Sequence, residues 1–362
     1  MRIAGYDLYG YDIALSEPVA LKGARLYRRE GALIRLTSDD GREGWGEAAP
    51  LPGFSPESLK DTIEQLRGIS PSFNDSPIPA GLPKPEDYPL LVLDRLVPSA
   101  RFGLETALSN LYASCRGVSP PDLLTEDPAQ TIFLNGLISG SAEKALAEAF
   151  SMNENGYAAV KLKVGRRGVA QDAEAVRGVA GVLGDKVSLR LDANRAWGFE
   201  EALAFAVGIS GTRVAYVEEP LADPGRLAEL AAKWGLPVAL DESLVGMAAG
   251  DLADQPYAGA VVLKPTLLGG VSRALRLAGA AKSLGMASVV SSSYEAGVGT
   301  GALVALAAAI GEEPAGLDTY RVLAEDVTET PLPLPAPTVD VRRTMEAARK
   351  VDAGRLEPIP LR

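Results

Sequence analysis

The sequence contains no histidine. That absence removes Ser-His-Asp triads, histidine-ligated zinc and imidazole acid–base chemistry. Proton transfer must then fall to Lys, Asp, Glu or Tyr. There is a single cysteine, Cys115, so no intramolecular disulfide and no cysteine-rich metal site is available. No base partner is evident for it, and Cys115 reads as a small core residue. Positive charge is also short. The 36 Lys and Arg against 47 Asp and Glu give a net charge of -11, which argues against a nucleic-acid partner, because phosphate binding needs clustered cations. Long apolar runs are missing too. The longest, around Ala302–Ile310, falls short of the ~20 residues that span a bilayer. The opening Met1-Arg2-Ile3-Ala4-Gly5-Tyr6-Asp7 lacks the layout of a signal peptide. No membrane partner and a cytoplasmic location are therefore expected.

What is present is a chain of 362 residues, 47% hydrophobic and 23% charged, enough for one large core and a smaller domain. Residues 1–45 read as β-rich, with Ile13-Ala14-Leu15 and Ala32-Leu33-Ile34-Arg35-Leu36 as short apolar runs between turns. The Gly- and Pro-dense run Gly44–Ser55 reads as loop. Ser55 is then expected to cap a helix opened by Pro56. The segment 72–98 reads as a linker, and Ser99–Cys115 as a buried helix. From about residue 130 short strands alternate with Ala/Leu-rich helical stretches: 132–135, 158–164, 187–192, 214–218, 237–241, 259–264, 287–292 and 316–318. Eight such units argue for a parallel α/β barrel. The expected organisation is an α+β capping domain over 1–125, the barrel over 126–325, and a C-terminal segment, 326–362, returning to the capping domain.

The ends of these strands carry the chemistry. Lys161 and Lys163, Asp192, Glu218 and Glu219, Asp241 and Glu242, and Lys264 fall at or just after strands two to six. Steps of 29, 26, 23 and 23 residues (163→192→218→241→264) match one βα unit each. In a barrel the strand C-termini share one face, so these side chains converge. Period two puts Lys161 and Lys163 on the same side of their strand. A lone Asp after a strand is more often a helix cap, and a lone Lys-x-Lys pair is a weak signal. Three acids on consecutive strands, flanked by lysines, instead favour a hard divalent cation, Mg²⁺. Close cations depress one another's pKa, which makes a neutral lysine base available. The chemistry expected is removal of a proton α to a carboxylate. The partner is a small-molecule carboxylate; a homo-oligomer stays open.

These motifs resemble the enolase superfamily, in its muconate-cycloisomerase-like branch. The likeness rests on Gly44-Trp45-Gly46-Glu47-Ala48-Ala49-Pro50-Leu51-Pro52-Gly53-Phe54-Ser55, Lys161-Leu162-Lys163-Val164-Gly165, Leu189-Arg190-Leu191-Asp192-Ala193-Asn194-Arg195-Ala196-Trp197, Glu218-Glu219-Pro220, Asp241-Glu242-Ser243-Leu244, Val262-Leu263-Lys264-Pro265-Thr266 and Ser291-Ser292-Ser293-Tyr294-Glu295. It implies a modified (β/α)7β barrel under a capping domain, with Asp192, Glu218 and Asp241 as Mg²⁺ ligands. Lys163 would be the base and then the acid, Lys161 would tune it, and Lys264 would face the intermediate from the opposite side. Arg190 and Asn194 would support the ligands or the substrate. Ser291, Ser292 and Ser293 would line its far end, and the Gly46–Phe54 loop, with Pro52, Gly53 and Phe54, would close over the site. Glu242 would support Lys264 or the acids; Asp318 stays ambiguous. The activities implied are a dehydration or, as competing readings that use Lys163 and Lys264, racemisation of an N-succinylamino acid or epimerisation of a dipeptide. Ser291-Ser292-Ser293 stands where dipeptide epimerases of the branch tend to carry Asp-x-Asp, which lowers that last reading. A binding protein without catalysis has no reason to keep three lysines and three carboxylates together.

Overall fold

The computed structural model describes residues 1–21, 24–73, 75–78, 93–311 and 313–361. Much of the expected 72–98 linker lies outside the described residues. The N-terminal sheet is built from β1 (Ile3–Leu21), β2 (Ala24–Ser38) and β3 (Glu43–Ala48), paired antiparallel. Helix α1 (Leu59–Ile69) starts four residues later than its expected cap at Ser55. Ser55 Oγ is occupied by the Leu51 amide (2.8 Å), whereas Ser58 and Asp61 supply both halves of a capping box. Helix α2 (Pro98–Arg116) lies across the sheet. It approaches so closely that a Cβ on Gly46 would stand 1.9 Å from the Gly103 carbonyl oxygen. Glycine is required there, and this contact fixes where the loop after β3 leaves the sheet.

A short β4 (Thr131–Phe133) precedes the barrel strands. These are β5 (Gly136–Ile138), β6 (Ala159–Lys163), β7 (Ser188–Asp192), β8 (Tyr216–Glu218), β9 (Val238–Leu240), β10 (Ala258–Leu263) and β11 (Ala287–Val290), parallel and paired in sequence order. The helices between and after them are α3 (Ala142–Glu154), α4 (Val169–Leu183), α5 (Phe199–Gly208), α6 (Leu227–Trp234), α7 (Pro265–Leu268), α8 (Val271–Ser283) and α9 (Gly297–Ile310). Two details correct the sequence reading. The first barrel strand is 136–138, because 131–133 pairs instead with β12 (Thr338–Asp340). No regular strand forms at 316–318. Ala315 bridges Leu134 and Gly316 bridges Ser291, and these two single contacts join β11 back to the start of the barrel. After β12 come α10 (Val341–Ala348) and β13 (Glu357–Ile359), the latter adding to the N-terminal sheet beside β1.

Alternation along the barrel strands sorts side chains into two environments. Leu162, Leu191 and Val217 point outward to the helices and are fully buried, each contributing about 2 kcal/mol of apolar burial. Their neighbours point into the barrel, where Tyr216, Ala239, Ala260 and Val262 form a separate apolar cluster. No helix among the described residues is long and apolar enough to cross a membrane.

Candidate active site

Register brings the key side chains to one level. Lys163 sits opposite Asp192, and Asp192 opposite Glu218, across β6, β7 and β8. Lys161 Nζ donates to Glu218 Oε1 (2.9 Å) and Oε2 (2.7 Å) and lies 2.8 Å from Asp192 Oδ2. Lys163 Nζ donates to Asp192 Oδ2 (2.6 Å) and Asn194 Oδ1 (2.8 Å). From the other side, Lys264 Nζ donates to Asp241 Oδ2 and lies 6.0 Å from the centre of the Phe54 ring. The three acids are almost completely buried.

Burial and charge act against each other here. Burial disfavours the Lys161 ammonium, but Asp192 and Glu218 hold its pKa well above the lysine value. Burial lowers Lys163, helped by Lys161 and opposed by Asp192. Lys264 is raised by Asp241 and Glu218 in spite of its burial. Among the acids, Asp192 is also desolvated, yet the two β6 lysines hold it far below the carboxylate range. Burial, with Asp192 beside it, pushes Glu218 up to about 8, and burial raises Asp241. Glu242 is raised by burial, with Lys264 opposing, and its buried Oε2 has no hydrogen-bond partner among the described residues. The cluster is thus short of positive charge. Among the described residues no three such side chains stand in a metal-binding arrangement, and the Lys161 ammonium lies between Asp192 and Glu218. The donors are nonetheless anionic oxygens on adjoining strands, two of them raised for want of a counter-charge, which is the chemistry a hard divalent cation suits.

Above this floor opens a cavity of about 360 Å³. Lys161, Lys163, Lys264, Asn194, Ser291, Ser292 and Phe54 line it, together with Leu51, Ala20 and Leu21 from the N-terminal domain. The structure does not bring Arg190, Ser293, Pro52 or Gly53 to this wall. Arg190 is two residues below Asp192 on β7, so its inward side chain lies one layer deeper. There it donates to Asn135 Oδ1 (3.0 Å) and the Pro314 carbonyl (2.8 Å) and pairs with Glu313. Ser293 is fully buried, and Pro52 and Gly53 form an exposed turn whose flanks, Leu51 and Phe54, face the cavity. Asp318 does line it and accepts from the Leu137 amide (3.3 Å).

Sequence reasoning assigned no role to several residues that build the site. Glu219 accepts from the Asp241 and Ser243 amides (3.0 and 2.7 Å) and from Arg195 Nε (2.8 Å), tying the Asp241 turn to β8. Asn194, Arg195, Glu219 and Tyr294 all have positive φ, 41° to 63°, and such strained backbone gathers at functional sites. Arg29, 1% exposed, donates to the carbonyls of Ala49, Pro50 and Tyr294 and so joins the capping loop to the turn after β11. Arg28-Arg29-Glu30 reads locally as a charged stretch, and nothing in it marks Arg29 as the buried one. Arg166 lines the cavity and pairs with no carboxylate among the described residues, whereas Arg167 is held by Asp172 (2.9 Å).

Glu47 makes a second joint between the domains. Its Oε1 accepts from Tyr11 Oη (2.6 Å) and the Ala296 amide (2.8 Å), its Oε2 from the Gly299 amide (2.7 Å) at the start of α9. Burial pushes its carboxyl up from 4.5 to about 7, against those three hydrogen bonds. A raised carboxyl binds its proton more readily in the folded state. Its contribution to stability is therefore complete below about 4.5 and is lost as pH rises through about 7, by on the order of 3 kcal/mol. Wild type is expected to lose stability relative to Glu47→Gln between pH 5 and 8, and parallel thermal melts measure this. A difference that ignores pH would contradict it.

A capped parallel barrel with lysines and buried carboxylates at its strand ends defines the enolase-type class of enzyme. Residues 143–345 match the enolase C-terminal domain-like family and residues 3–111 the MenC N-terminal domain. The chain belongs to the enolase superfamily, in its muconate-cycloisomerase-like branch, and is an enzyme. It is 32% identical to the o-succinylbenzoate synthase of Haemophilus influenzae over 313 residues, 85% of this chain and 87% of that one. Among solved structures it is similar to the muconate lactonizing enzyme of Pseudomonas fluorescens complexed with muconolactone, at 25% identity and a TM-score of 0.79, covering 91% of each chain. It also shares its fold with a dipeptide epimerase of Enterococcus faecalis complexed with Mg and L-Leu-L-Tyr (20% identity, TM-score 0.83, covering 94% and 97%).

Proposed function

We propose that the protein is an o-succinylbenzoate synthase, a Mg²⁺-dependent hydro-lyase. It dehydrates 2-succinyl-6-hydroxy-2,4-cyclohexadiene-1-carboxylate to o-succinylbenzoate, a step of menaquinone biosynthesis. The relatives named above favour this substrate, and one observation carries the chemistry. Two lysines of β6 and one from the end of β10 line the same cavity from different walls, over three buried carboxylates.

Asp192, Glu218 and Asp241 would hold Mg²⁺, which supplies positive charge to the substrate carboxylate and so acidifies its α-hydrogen. Lys163 has a 19% exposed side chain against 11% for Lys161 and 13% for Lys264, and it takes that proton. The electron pair left behind passes into the carboxylate as an enediolate. The pair then returns as the bond from the ring to the 6-hydroxyl breaks. Lys163 Nζ gives its proton to the departing oxygen on the same face, so water leaves and the ring becomes aromatic. Lys161 stabilises the enediolate and lowers the basicity of Lys163. Lys264 stands over the other face as a cation against the delocalised ring. Leu51 and Phe54 exclude water from above, and Ser291 and Ser292 offer hydroxyls to the succinyl arm.

The substrate carries a second carboxylate, on that arm, and Arg166 is the cation left for it. Arg166→Gln is expected to raise KM about tenfold or more, the value of one charge-assisted hydrogen bond, with kcat little changed. A fall in kcat at constant KM in steady-state assays would remove Arg166 from this role.

The test of the function is direct. With Mg²⁺ and the cyclohexadiene substrate, o-succinylbenzoate should form, read by its absorbance. Lys163 and Lys264 on different walls of one cavity also favour a second reading, racemisation of N-succinylamino acids. Incubation of those compounds in D₂O separates the two, since fast α-deuteration without any dehydration would make the protein a racemase.

A further inference from the structure

A second cavity, of about 280 Å³, opens at the seam between the capping domain and the barrel and shares no lining residue with the first. Its wall joins Arg101 of α2 to Arg273 and Arg276 of α8 across the Gly246–Ala249 turn. Three guanidinium groups thus meet in a protein whose net charge is -11. Glu105 lies at this place, paired with Arg101 Nε (2.9 Å). It is also spent on the start of α8, where Oε1 accepts from Ser272 Oγ (2.7 Å) and Oε2 from the Ser272 amide (3.1 Å). Arg273 donates to the Met247 carbonyl (2.9 Å), and neither it nor the exposed Arg276 pairs with a carboxylate among the described residues. Arg273 and Arg276 thus contribute two positive charges with no carboxylate against them among the described residues. Burial, with Arg101 and Arg276 nearby, pulls the Arg273 pKa below the arginine value.

We propose that this cleft binds a small oxyanion of two negative charges, held by the guanidinium forks of Arg273 and Arg276 with Arg101 behind them. The forks suit phosphate and carboxylate oxygens, each taking two in parallel. A dianion matches the unpaired charge, relieves the repulsion among the three side chains, and ties the capping helix to the barrel. The site owes nothing to the activity proposed above. A phosphate group and a dicarboxylate share this chemistry, so both are tried.

The experiment is calorimetric titration of the wild-type chain at low ionic strength with sodium phosphate and, separately, with sodium succinate, using chloride as the reference anion. Saturable binding of one anion per chain by either is expected, and the probe that binds names the source. Arg276→Gln, at an exposed position, should weaken that binding at least tenfold, and Arg273→Gln with Arg276→Gln should abolish it, both variants keeping wild-type thermal unfolding to within a few degrees. Absence of saturable binding for both probes would overturn the proposal. Binding that survives unchanged in the folded variants would overturn it equally.

Discussion

Lys163→Ala is expected to lose roughly 10⁴-fold in kcat, the upper range for a general acid–base group, while unfolding close to the wild-type temperature. The loss is large because the same Nζ is asked to remove the proton and to protonate the departing oxygen. The fold survives because the side chain faces the cavity and Asp192 keeps Lys161, 2.8 Å away. Lys161→Ala makes the contrast. That ammonium bonds both Glu218 oxygens and touches Asp192, so its removal strands buried carboxylates at a cost of about 3 kcal/mol or more. Lys161→Ala should lose activity and stability together, Lys163→Ala activity alone. Retention of a tenth of wild-type kcat by Lys163→Ala would sink the assignment of the base.

Chelation by EDTA is expected to abolish turnover, and added Mg²⁺ to restore it. Burial and neighbouring acids raise the Glu218 and Asp241 carboxyls and leave them short of a counter-charge. A cation that binds the folded chain and not the unfolded one also stabilises it by mass action. Mg²⁺ should therefore raise the melting temperature of chelated protein, a readout separate from activity, and Asp192→Asn should blunt the rise. Full activity in EDTA, or a melting temperature indifferent to Mg²⁺, would remove the metal from this account.

The reach of the sequence differs from residue to residue. Lys161 and Lys163 were legible as a same-face pair because strand period is a local property, and they do share a face. Arg190 obeys the same period, but its depth is set by stacking of layers inside the barrel, which no local pattern reports. Pro52 and Gly53 drew attention as turn formers, yet a turn presents its flanks, here Leu51 and Phe54, to the cavity. The first barrel strand is not legible locally, because 131–133 and 136–138 are both short apolar runs. Which of them joins the barrel depends on β12, some 200 residues away.

By itself the sequence determined the repeating strand–helix order, the exclusion of histidine chemistry, and the set of lysines and acids at the strand ends. Those follow from composition, period and spacing, all of which act over a few residues or one βα unit. Only the tertiary structure decided the partners: Lys161 between Glu218 and Asp192, Arg29 and Glu47 joining the domains, Arg166 at the cavity with no carboxylate against it among the described residues, three arginines at the seam. Contacts between distant segments depend on how layers stack and on which buried charges find a counter-charge. Those outcomes are settled by packing the whole chain at once.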